Sequence, residues 1–274
     1  MSTVFSSALV DTAEHHALLR DSVGKLAGRF GRRYFQDLVK RHAKPNELWQ
    51  ALGEAGYLGV HVPEQYGGGG SGLADYNVIV EEVAAQGCPI LSLVINSICS
   101  PIIEQHGSES LKQAWLPGLA SGKKRLSFAI TEPNAGTNTH KITTTARQEG
   151  QDWVIQGNKY WTSGLDEADS VMVVCREEKA DDRGRHPLSL FIVPAQHPGI
   201  SRTPIETALH VPETSFTVFF DDVRVGPDAL VGQQGQGLRH LFAGLNPERV
   251  CAAAINNGIA RYAIERGSQQ AKDR

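Results

Sequence analysis

Residues 128–138 contain the residue types with which a main chain binds a phosphate or a polar ring. They read Phe-Ala-Ile-Thr-Glu-Pro-Asn-Ala-Gly-Thr-Asn. A glycine beside a hydroxyl residue, here Gly136 and Thr137, lets the backbone approach an anion closely and donate N–H groups and one O–H group. The short apolar strand before the turn would present these groups from a rigid edge. An ordinary turn is the alternative, since proline, asparagine and glycine commonly follow strands.

This segment resembles the acyl-CoA dehydrogenase signature Thr-Glu-Pro-x-Ala-Gly-(Ser/Thr)-Asp, with Asn138 where the family usually has aspartate. Further runs similar to the family follow its order over most of the chain, at residues 59–68, 159–164, 220–237 and 246–249. The run at 159–164, Lys-Tyr-Trp-Thr-Ser-Gly, looks like the family's second flavin-contacting run. The change to asparagine is tolerable, because an asparagine side chain can also cap backbone donors.

The resemblance implies an α+β multidomain fold. A helical N-terminal domain is expected at residues 1–125, a middle β-barrel or sandwich domain at 126–235, and the beginning of a C-terminal helical bundle at 236–274. The residue pattern agrees, because apolar residues recur at helical spacing in the first part and β-branched or aromatic runs follow. The chain stops inside a helical pattern, so we expect the C-terminal domain to be truncated.

The strands are expected where short β-branched or aromatic runs are separated by Gly, Asn or Pro turns. These runs lie at 143–145, 153–155, 171–174, 188–193 and 214–220. Residues 149–151 are predicted to form the hairpin turn between the first two. Helical character returns at Gly237 and continues to the end of the chain.

The function implied by the resemblance is FAD-dependent α,β-dehydrogenation of an acyl-CoA thioester. A carboxylate removes the α-proton while a hydride leaves the β-carbon for flavin N5. Hydrogen bonds to the thioester oxygen and burial of the reacting groups must together lower the barrier, because the α-proton is a weak acid. Family members pass the electrons to an electron-transfer flavoprotein and are commonly homo-oligomers.

The resemblance also assigns flavin-binding residues. Backbone groups and one hydroxyl at the flavin ring would come from Phe128, Ala129, Ile130 and Thr131. Gly136 and Thr137 would lie at the pyrophosphate or the CoA end. Tyr160, Trp161 and Thr162 would pack against the ring and place a hydroxyl near N5. For the two aromatic residues, packing in a core is the alternative interpretation.

Glu248 is the candidate catalytic base, because a minority of the family, including the isovaleryl and long-chain enzymes, carries the base at this point. Most members carry it in the later bundle. Thr137, Asn246 and Arg249 are the expected substrate-binding residues. A structural alternative is that Asn246 caps a helix whose first residue is Pro247, with Glu248 complementing the helix dipole.

Two other functions remain open at this point. The same fold could support a flavin-dependent oxidase or monooxygenase, in which reduced flavin meets oxygen. A non-catalytic acyl-CoA-binding or partner-binding remnant is the second alternative, because the family's bundle normally completes the flavin pocket.

The composition excludes several classes of protein. The net charge is −3 and the basic residues are scattered, so the sequence does not indicate a nucleic-acid binder. The four cysteines are far apart and form no zinc pattern, so we expect no metal. We find no signal peptide and no apolar stretch near the ~20 residues of a membrane span. A cytoplasmic protein with reduced thiols is the prediction.

A glycine run at residues 67–72 matches Gly-x-Gly-x-x-Gly, the pattern of dinucleotide-binding folds. Its context does not fit, because Pro63 interrupts the preceding apolar run and no βαβ repeat surrounds it. We therefore predict a flexible loop.

Overall fold

The computed structural model describes the backbone of residues 3–274 and the side chains from residue 14 onward. The first half of the chain is helical. Its α-helices are α1 Thr3–Ala27, α2 Gly31–Arg41, α3 Asn46–Glu54, α4 Leu73–Ala85, α5 Ser92–His106 and α6 Glu109–Ala120. Helix α6 begins after Ser108, whose hydroxyl accepts a hydrogen bond from the Leu111 N–H at 3.2 Å, as an N-cap residue should.

The middle of the chain forms one connected eight-stranded sheet with the order β6-β7-β3-β2-β4-β5-β8, and β1 pairs with β4 in parallel. The strands are β1 Leu126–Ala129, β2 Thr145–Glu149, β3 Asp152–Ser163, β4 Ser170–Glu177, β5 Leu188–Pro194, β6 Ile200–Pro204, β7 Ser215–Val225 and β8 Leu230–Val231. This arrangement confirms the predicted succession of a helical part and a β-sheet part. Strands β6 and β8 were not expected from the sequence.

The turn predicted at residues 149–151 is confirmed. Glu149 pairs with Asp152 at the end of the β2–β3 hairpin, and Gly150 adopts a φ of 66°, which favours glycine. The first residue predicted for the strand at 143–145 was wrong, because β2 starts two residues later, at Thr145. The N–H groups of the two preceding threonines are bonded to a buried carboxylate instead of to a strand.

Helix α7, Gly237–Lys272, is continuous through Pro247. The helix begins at Gly237, where the sequence predicted that helical character returns, so that prediction is confirmed. The alternative, in which Asn246 caps a helix whose first residue is Pro247, is wrong. Its Oδ1 accepts a hydrogen bond from Arg249 Nη1 at 3.0 Å within the helix. The capping role considered for this segment is excluded.

Helix α7 packs against α4 and α5 at two glycines. A Cβ atom on Gly244 would lie 2.3 Å from the carbonyl oxygen of Ile98 in α5, and one on Gly258 would lie 2.1 Å from that of Glu81 in α4. Real Cβ atoms do not approach an oxygen so closely. The backbone of α7 therefore lies directly against two helices of the first half of the chain.

Three groups of buried apolar side chains form the interior. One lies among the helices and one lies within the sheet. The third joins them, because it contains Cys99 and Ile102 of α5 together with Phe128 of β1, Met172 of β4 and Leu190 of β5. The sheet is thus packed onto α5, so the ends of β1 and β3 are held at a defined position beside that helix.

The glycine run at residues 67–72 is not the flexible loop that the sequence predicted. Backbone hydrogen bonds of 2.8–3.2 Å tie it to the segment that precedes it, for example from Gly69 N–H to the Gly59 carbonyl and from Gly70 N–H to the Val62 carbonyl. Gly67 and Gly70 have φ values of 79° and 64°, so glycine is needed for the tight fold of this loop. None of the described helices is both long and apolar enough to cross a bilayer.

The glycines of α7 yield a stability prediction. Gly258→Ala should destabilise the protein by about 1–3 kcal/mol, because the new methyl group meets the Glu81 carbonyl oxygen. Gly267→Ala in the same helix, where a Cβ atom would meet nothing within 4 Å, should stabilise it by about 0.5–1 kcal/mol. Urea unfolding measures both. Equal effects at the two positions would contradict the close packing of α7.

Candidate active site

A buried ion pair joins the two runs that the sequence assigned to flavin binding. Lys159 Nζ lies 2.9 Å from Glu132 Oε1, with the side chains 0% and 2% exposed. The same ammonium group donates to the carbonyl oxygen of Ile130 at 3.0 Å, and the Tyr160 N–H donates to that of Thr131 at 2.8 Å. The loop after β1 is thus attached to β3 by both side chains and main chain.

The Glu132 carboxylate also organises the loop that leads to β2. It accepts hydrogen bonds from the N–H groups of Thr143 at 2.7 Å and Thr144 at 2.9 Å. Burial would raise the pKa of Glu132, but Lys159 and these N–H groups outweigh it and lower the pKa from its usual 4.5 to about 2. Burial lowers the pKa of Lys159, and Glu132 opposes this shift. We take the pair as ionised, since both charges have short, complementary hydrogen bonds.

Neither Glu132 nor Lys159 was among the residues predicted for the site. The signal was present, because each of the two runs carries one charged residue and the charges are opposite. Charged side chains are usually exposed, so a pairing between distant runs could not be inferred from either run alone.

A pocket of about 260 Å³ lies where β1, β3, α5 and α7 meet. Its apolar wall is formed by Leu91, which precedes α5, and by Val94, Ile95 and Ile98 of that helix. The facing wall contains several of the predicted flavin-binding residues. They are Phe128, Ile130, Thr131, Tyr160 and Trp161, joined by Ser163.

The third side of the pocket comes from α7, through Leu245 and Glu248. Gly244 lies one turn before Glu248, and residues four apart share a helix face. The close approach of Gly244 to the Ile98 carbonyl therefore brings Glu248 to the apolar wall of α5. The predicted base and the predicted flavin-binding runs, distant in sequence, meet in one pocket.

Trp161 is held in an unusual conformation at this pocket. Its φ is 62°, in the left-handed region, and the pairing of β3 with β7 is irregular between Lys159 and Thr162. The residue remains 48% exposed, so packing in a core does not account for it. Tyr160 is half-buried, and its ring meets that of Trp161 edge-on at 5.0 Å. A non-glycine residue with positive φ is a costly feature that functional sites commonly carry.

Other predicted flavin-binding residues do not line the pocket. Thr162 is fully buried, and its hydroxyl oxygen has no hydrogen-bond partner among the described residues. The aliphatic hydroxyl residue of this run that borders the pocket is Ser163, whose Oγ lies 2.7 Å from Ser215 Oγ, and Thr131 borders the pocket from the other run. Ala129 is directed into the core of the sheet.

The loop after Pro133 also lies outside the residues that line this pocket. Gly136 and Thr137 are exposed, and Asn138 Oδ1 accepts a hydrogen bond from the His140 N–H at 3.1 Å. Asn246 and Arg249 are exposed on α7. None of the three expected substrate-binding residues is therefore among those that line this pocket.

A second cavity, of about 610 Å³, is bordered by this loop. Its lining is of mixed charge, because Asp181 and the buried Glu177 border it together with basic side chains. The basic residues are His140, Lys179, Arg185 and His186, and Arg185 Nη2 lies 2.9 Å from Asp181 Oδ2. Two glutamines before α7 complete the rim, and Gln234 Nε2 donates to Glu177 Oε2 at 2.9 Å. This charged and polar lining suits a polar group rather than an acyl chain.

The chain matches two models of one protein family. Residues 13–123 match "Acyl-CoA dehydrogenase, N-terminal domain" and residues 127–223 match "Acyl-CoA dehydrogenase, middle domain". It is 45% identical over 269 residues to acyl-CoA dehydrogenase FadE12 of Mycobacterium tuberculosis, which covers 98% of this chain and 69% of that relative. The chain therefore belongs to the acyl-CoA dehydrogenase family.

Solved structures agree with this membership. One, described as the electron transferring flavoprotein of Acidaminococcus fermentans, contains a chain similar to this one with a TM-score of 0.87 and 28% identity, covering 94% of this chain and 68% of that chain. The glutaryl-CoA dehydrogenase of Mycobacterium smegmatis in complex with FADH2 matches with a TM-score of 0.76 and 25% identity, covering 90% and 63%. The family prediction and the fold prediction are confirmed. The relatives named as acyl-CoA dehydrogenases are oxidoreductases, and the FADH2 complex implies a flavin cofactor for the family.

The ion pair yields a prediction on stability. Lys159→Met leaves the Glu132 carboxylate buried without its counter-charge and should cost about 3–5 kcal/mol at pH 7. The double variant with Glu132→Gln should be more stable than Lys159→Met, since no unpaired charge remains. The pKa of Glu132 is lowered in the folded state, so its contribution is present above pH 4.5 and is lost as the pH falls towards 2. Urea unfolding at pH 7 and at pH 3 measures these differences, and a Lys159→Met variant as stable as the wild type would contradict them.

The assignment of the pocket hydroxyl can be tested by FAD titration. Ser163→Ala should weaken FAD binding by roughly tenfold, the order of one lost hydrogen bond. Thr162→Val should leave binding unchanged, because that hydroxyl is buried away from the pocket. Ser215→Ala is the control, since it removes the same Ser163–Ser215 hydrogen bond without removing the pocket hydroxyl. Loss of binding in Thr162→Val alone would restore the role that the sequence suggested.

Proposed function

We propose that this protein catalyses FAD-dependent α,β-dehydrogenation of an acyl-CoA thioester in the pocket between α5, β3 and α7. The main support for the proposal is that three features border the same pocket. They are Glu248, the apolar wall of α5, and the run at residues 159–164 that resembles the family's second flavin-contacting run. A carboxylate beside apolar surface is what α-proton removal requires, since the substrate must be held away from water while the proton leaves.

The residues of the pocket fit a flavin ring. Phe128, Ile130, Thr131, Tyr160 and Trp161 border the space from one side, and the half-exposed Trp161 offers an aromatic face for a planar ring system. FAD supplies the acceptor for the two electrons that leave the substrate. Ala129 and Thr162 contribute through the main chain of the two runs, and Gly136 and Thr137 belong to the pyrophosphate or CoA end.

The pocket is too small to enclose a complete FAD together with an acyl-CoA. Its volume of about 260 Å³ is below the range of about 300–1,000 Å³ that is usual for small-molecule sites. We infer that further protein surface, from this family's later helices or from a second subunit, completes the site. A homo-oligomer is part of the proposal, since a second subunit is one of these two sources of surface.

In this scheme Glu248 takes the α-proton of the acyl group. It is half-buried on α7 and lies beside the side chains of α5. The phosphate-bearing end of coenzyme A is assigned to the second cavity, where Lys179 is the basic side chain for a phosphate, since Arg185 is paired with Asp181. Thr137, Asn246 and Arg249, which are exposed, are proposed to contact the substrate outside the pocket.

The remaining parts of the proposal rest on the family. An electron-transfer flavoprotein is proposed as the electron acceptor, and the structural neighbour from Acidaminococcus fermentans supports this choice. Fatty acid metabolism and a cytoplasmic location stay predictions, the latter based on four unpaired, buried cysteines. The domain limits at residues 125 and 235 are likewise proposed.

Acyl-CoA binding without catalysis is the second candidate function. The small volume of the pocket favours it, because a flavin bound by only part of its surface would be held weakly. The same experiment separates the two functions, since a binding protein would take up acyl-CoA without changing a flavin spectrum.

The test is the visible spectrum of the protein with FAD and octanoyl-CoA under anaerobic conditions. We expect the wild-type flavin bands to bleach, and Glu248→Gln to bind both molecules but bleach about 10²–10⁴ times more slowly, because general-base catalysis contributes that factor. Glu265→Gln, an exposed glutamate further along α7, is the matched control and should bleach at the wild-type rate.

Two results would contradict the proposal. A wild-type protein that binds octanoyl-CoA but whose flavin bands never bleach would contradict dehydrogenation and support acyl-CoA binding without catalysis. Bleaching at the wild-type rate in Glu248→Gln would remove Glu248 as the base. Rapid oxygen consumption by the reduced protein would favour the oxidase chemistry that the fold also permits.

A further inference from the structure

A buried carboxylate, Glu213, is bonded to the beginning of the helix that forms the apolar wall of the pocket. Its Oε1 accepts a hydrogen bond from the Leu91 N–H at 2.7 Å, and the Ser92 N–H lies at 3.4 Å. These N–H groups have no partner within the helix, because Leu91 precedes α5 and Ser92 begins its first turn. Leu91 itself borders the pocket.

The residues that follow Glu213 are bonded to the facing wall. The Thr214 carbonyl accepts a hydrogen bond from the Gly164 N–H at 2.9 Å. The Ser215 hydroxyl lies 2.7 Å from that of Ser163, which borders the pocket. Residues 213–215 therefore connect the two walls directly. The Glu213 side chain is bonded to the beginning of α5, and Thr214 and Ser215 are bonded to the end of β3 and the residue after it.

Glu213 is 5% exposed, and its second oxygen, Oε2, has no hydrogen-bond partner among the described residues. The charged groups around this junction come from several elements. They are Lys44, Arg125, Asp166 and Glu167, with Lys44 Nζ 2.8 Å from Asp166 and Arg125 Nη1 2.6 Å from Glu167. The two basic groups are thus already paired with other carboxylates, and Glu213 forms no ion pair with any of the described residues.

We propose that Glu213 is a positioning residue that holds the beginning of α5 against β3 and thereby sets the width of the acyl-CoA pocket. It does not border the pocket. Its action on substrate binding passes through Leu91 on one side and Ser163 on the other. The inference rests on the proposed function only in taking an acyl-CoA as the ligand of this pocket.

The junction should respond to pH in the neutral range. Burial, with a smaller contribution from Glu167, raises the pKa of Glu213 to about 7 although the N–H groups of Leu91 and Ser92 oppose the shift. A raised folded-state pKa means that the folded protein binds the proton more tightly than the unfolded chain. The stability from this proton is complete below pH 4.5, falls as the pH rises, and is absent above about pH 7.

Glutamine at this position keeps an oxygen for the Leu91 N–H but cannot ionise. The melting temperature of the wild type relative to Glu213→Gln should therefore decrease between pH 5 and pH 8, as the wild-type carboxyl loses its proton. Glu206→Gln is the matched control, because it removes an exposed carboxylate from the same loop between β6 and β7. That variant should follow the wild type at every pH.

The positioning role is measured by the dissociation constant of octanoyl-CoA for the FAD-loaded protein at pH 6, by calorimetry. Glu213→Ala should raise it about tenfold, because the α5 N–H groups lose their acceptor, whereas Glu213→Gln should remain within about twofold of the wild type. The rate of flavin bleaching at saturating octanoyl-CoA should change little in either variant, since the reacting groups are intact.

The inference is overturned if Glu213→Ala binds octanoyl-CoA as tightly as the wild type, or if Glu213→Gln keeps the wild-type dependence of melting temperature on pH. These outcomes are independent of catalysis. A wild-type protein that binds octanoyl-CoA without bleaching, and whose affinity depends on Glu213, would refute the proposed dehydrogenation while supporting the positioning role.

Discussion

The structure of the candidate site depends on the ion pair between Glu132 and Lys159. Two full charges removed from water are costly unless each is surrounded by complementary groups. Here one carboxylate receives an ammonium group and two backbone N–H groups, and the ammonium group reaches a backbone carbonyl in addition. Three separate pieces of chain must therefore come together at once, and the conformation that achieves this places the flavin-type residues on one side of a pocket.

The pair also restricts the substitutions that these runs can accept without loss of stability. Replacing the pair with apolar residues can preserve stability in many proteins, but here the same carboxylate directs the loop that leads into β2. An apolar side chain would leave the N–H groups of Thr143 and Thr144 without acceptors. The requirement is thus for an acceptor at this position as much as for a charge.

The sequence sufficed for the class of fold and for much of the pocket, because strong local patterns coincide with it. Glu248 and Trp161 could be identified by resemblance, and the hairpin at Gly150 by its turn residues. The side-chain directions after Lys159 could not be obtained in this way. The irregular pairing at Trp161 breaks the alternation of faces along a strand, so Thr162 is directed inward and Ser163 borders the pocket. The beginning of α7 at Gly237 could be predicted, but the sequence left open a second helix start at Pro247, because proline normally indicates the first turn of a helix whereas Pro247 lies in the interior of α7.

The contact of α7 with α5 through Gly244 has a consequence for the rotational setting of that helix. Successive residues on an α-helix are rotated by about 100° around its axis. A slip of α7 by one residue would bring a side chain against the Ile98 carbonyl, where only a hydrogen atom fits, and would turn Glu248 away from α5. The absence of a side chain at one position therefore excludes the neighbouring registers and leaves a single azimuth for the carboxylate one turn further along.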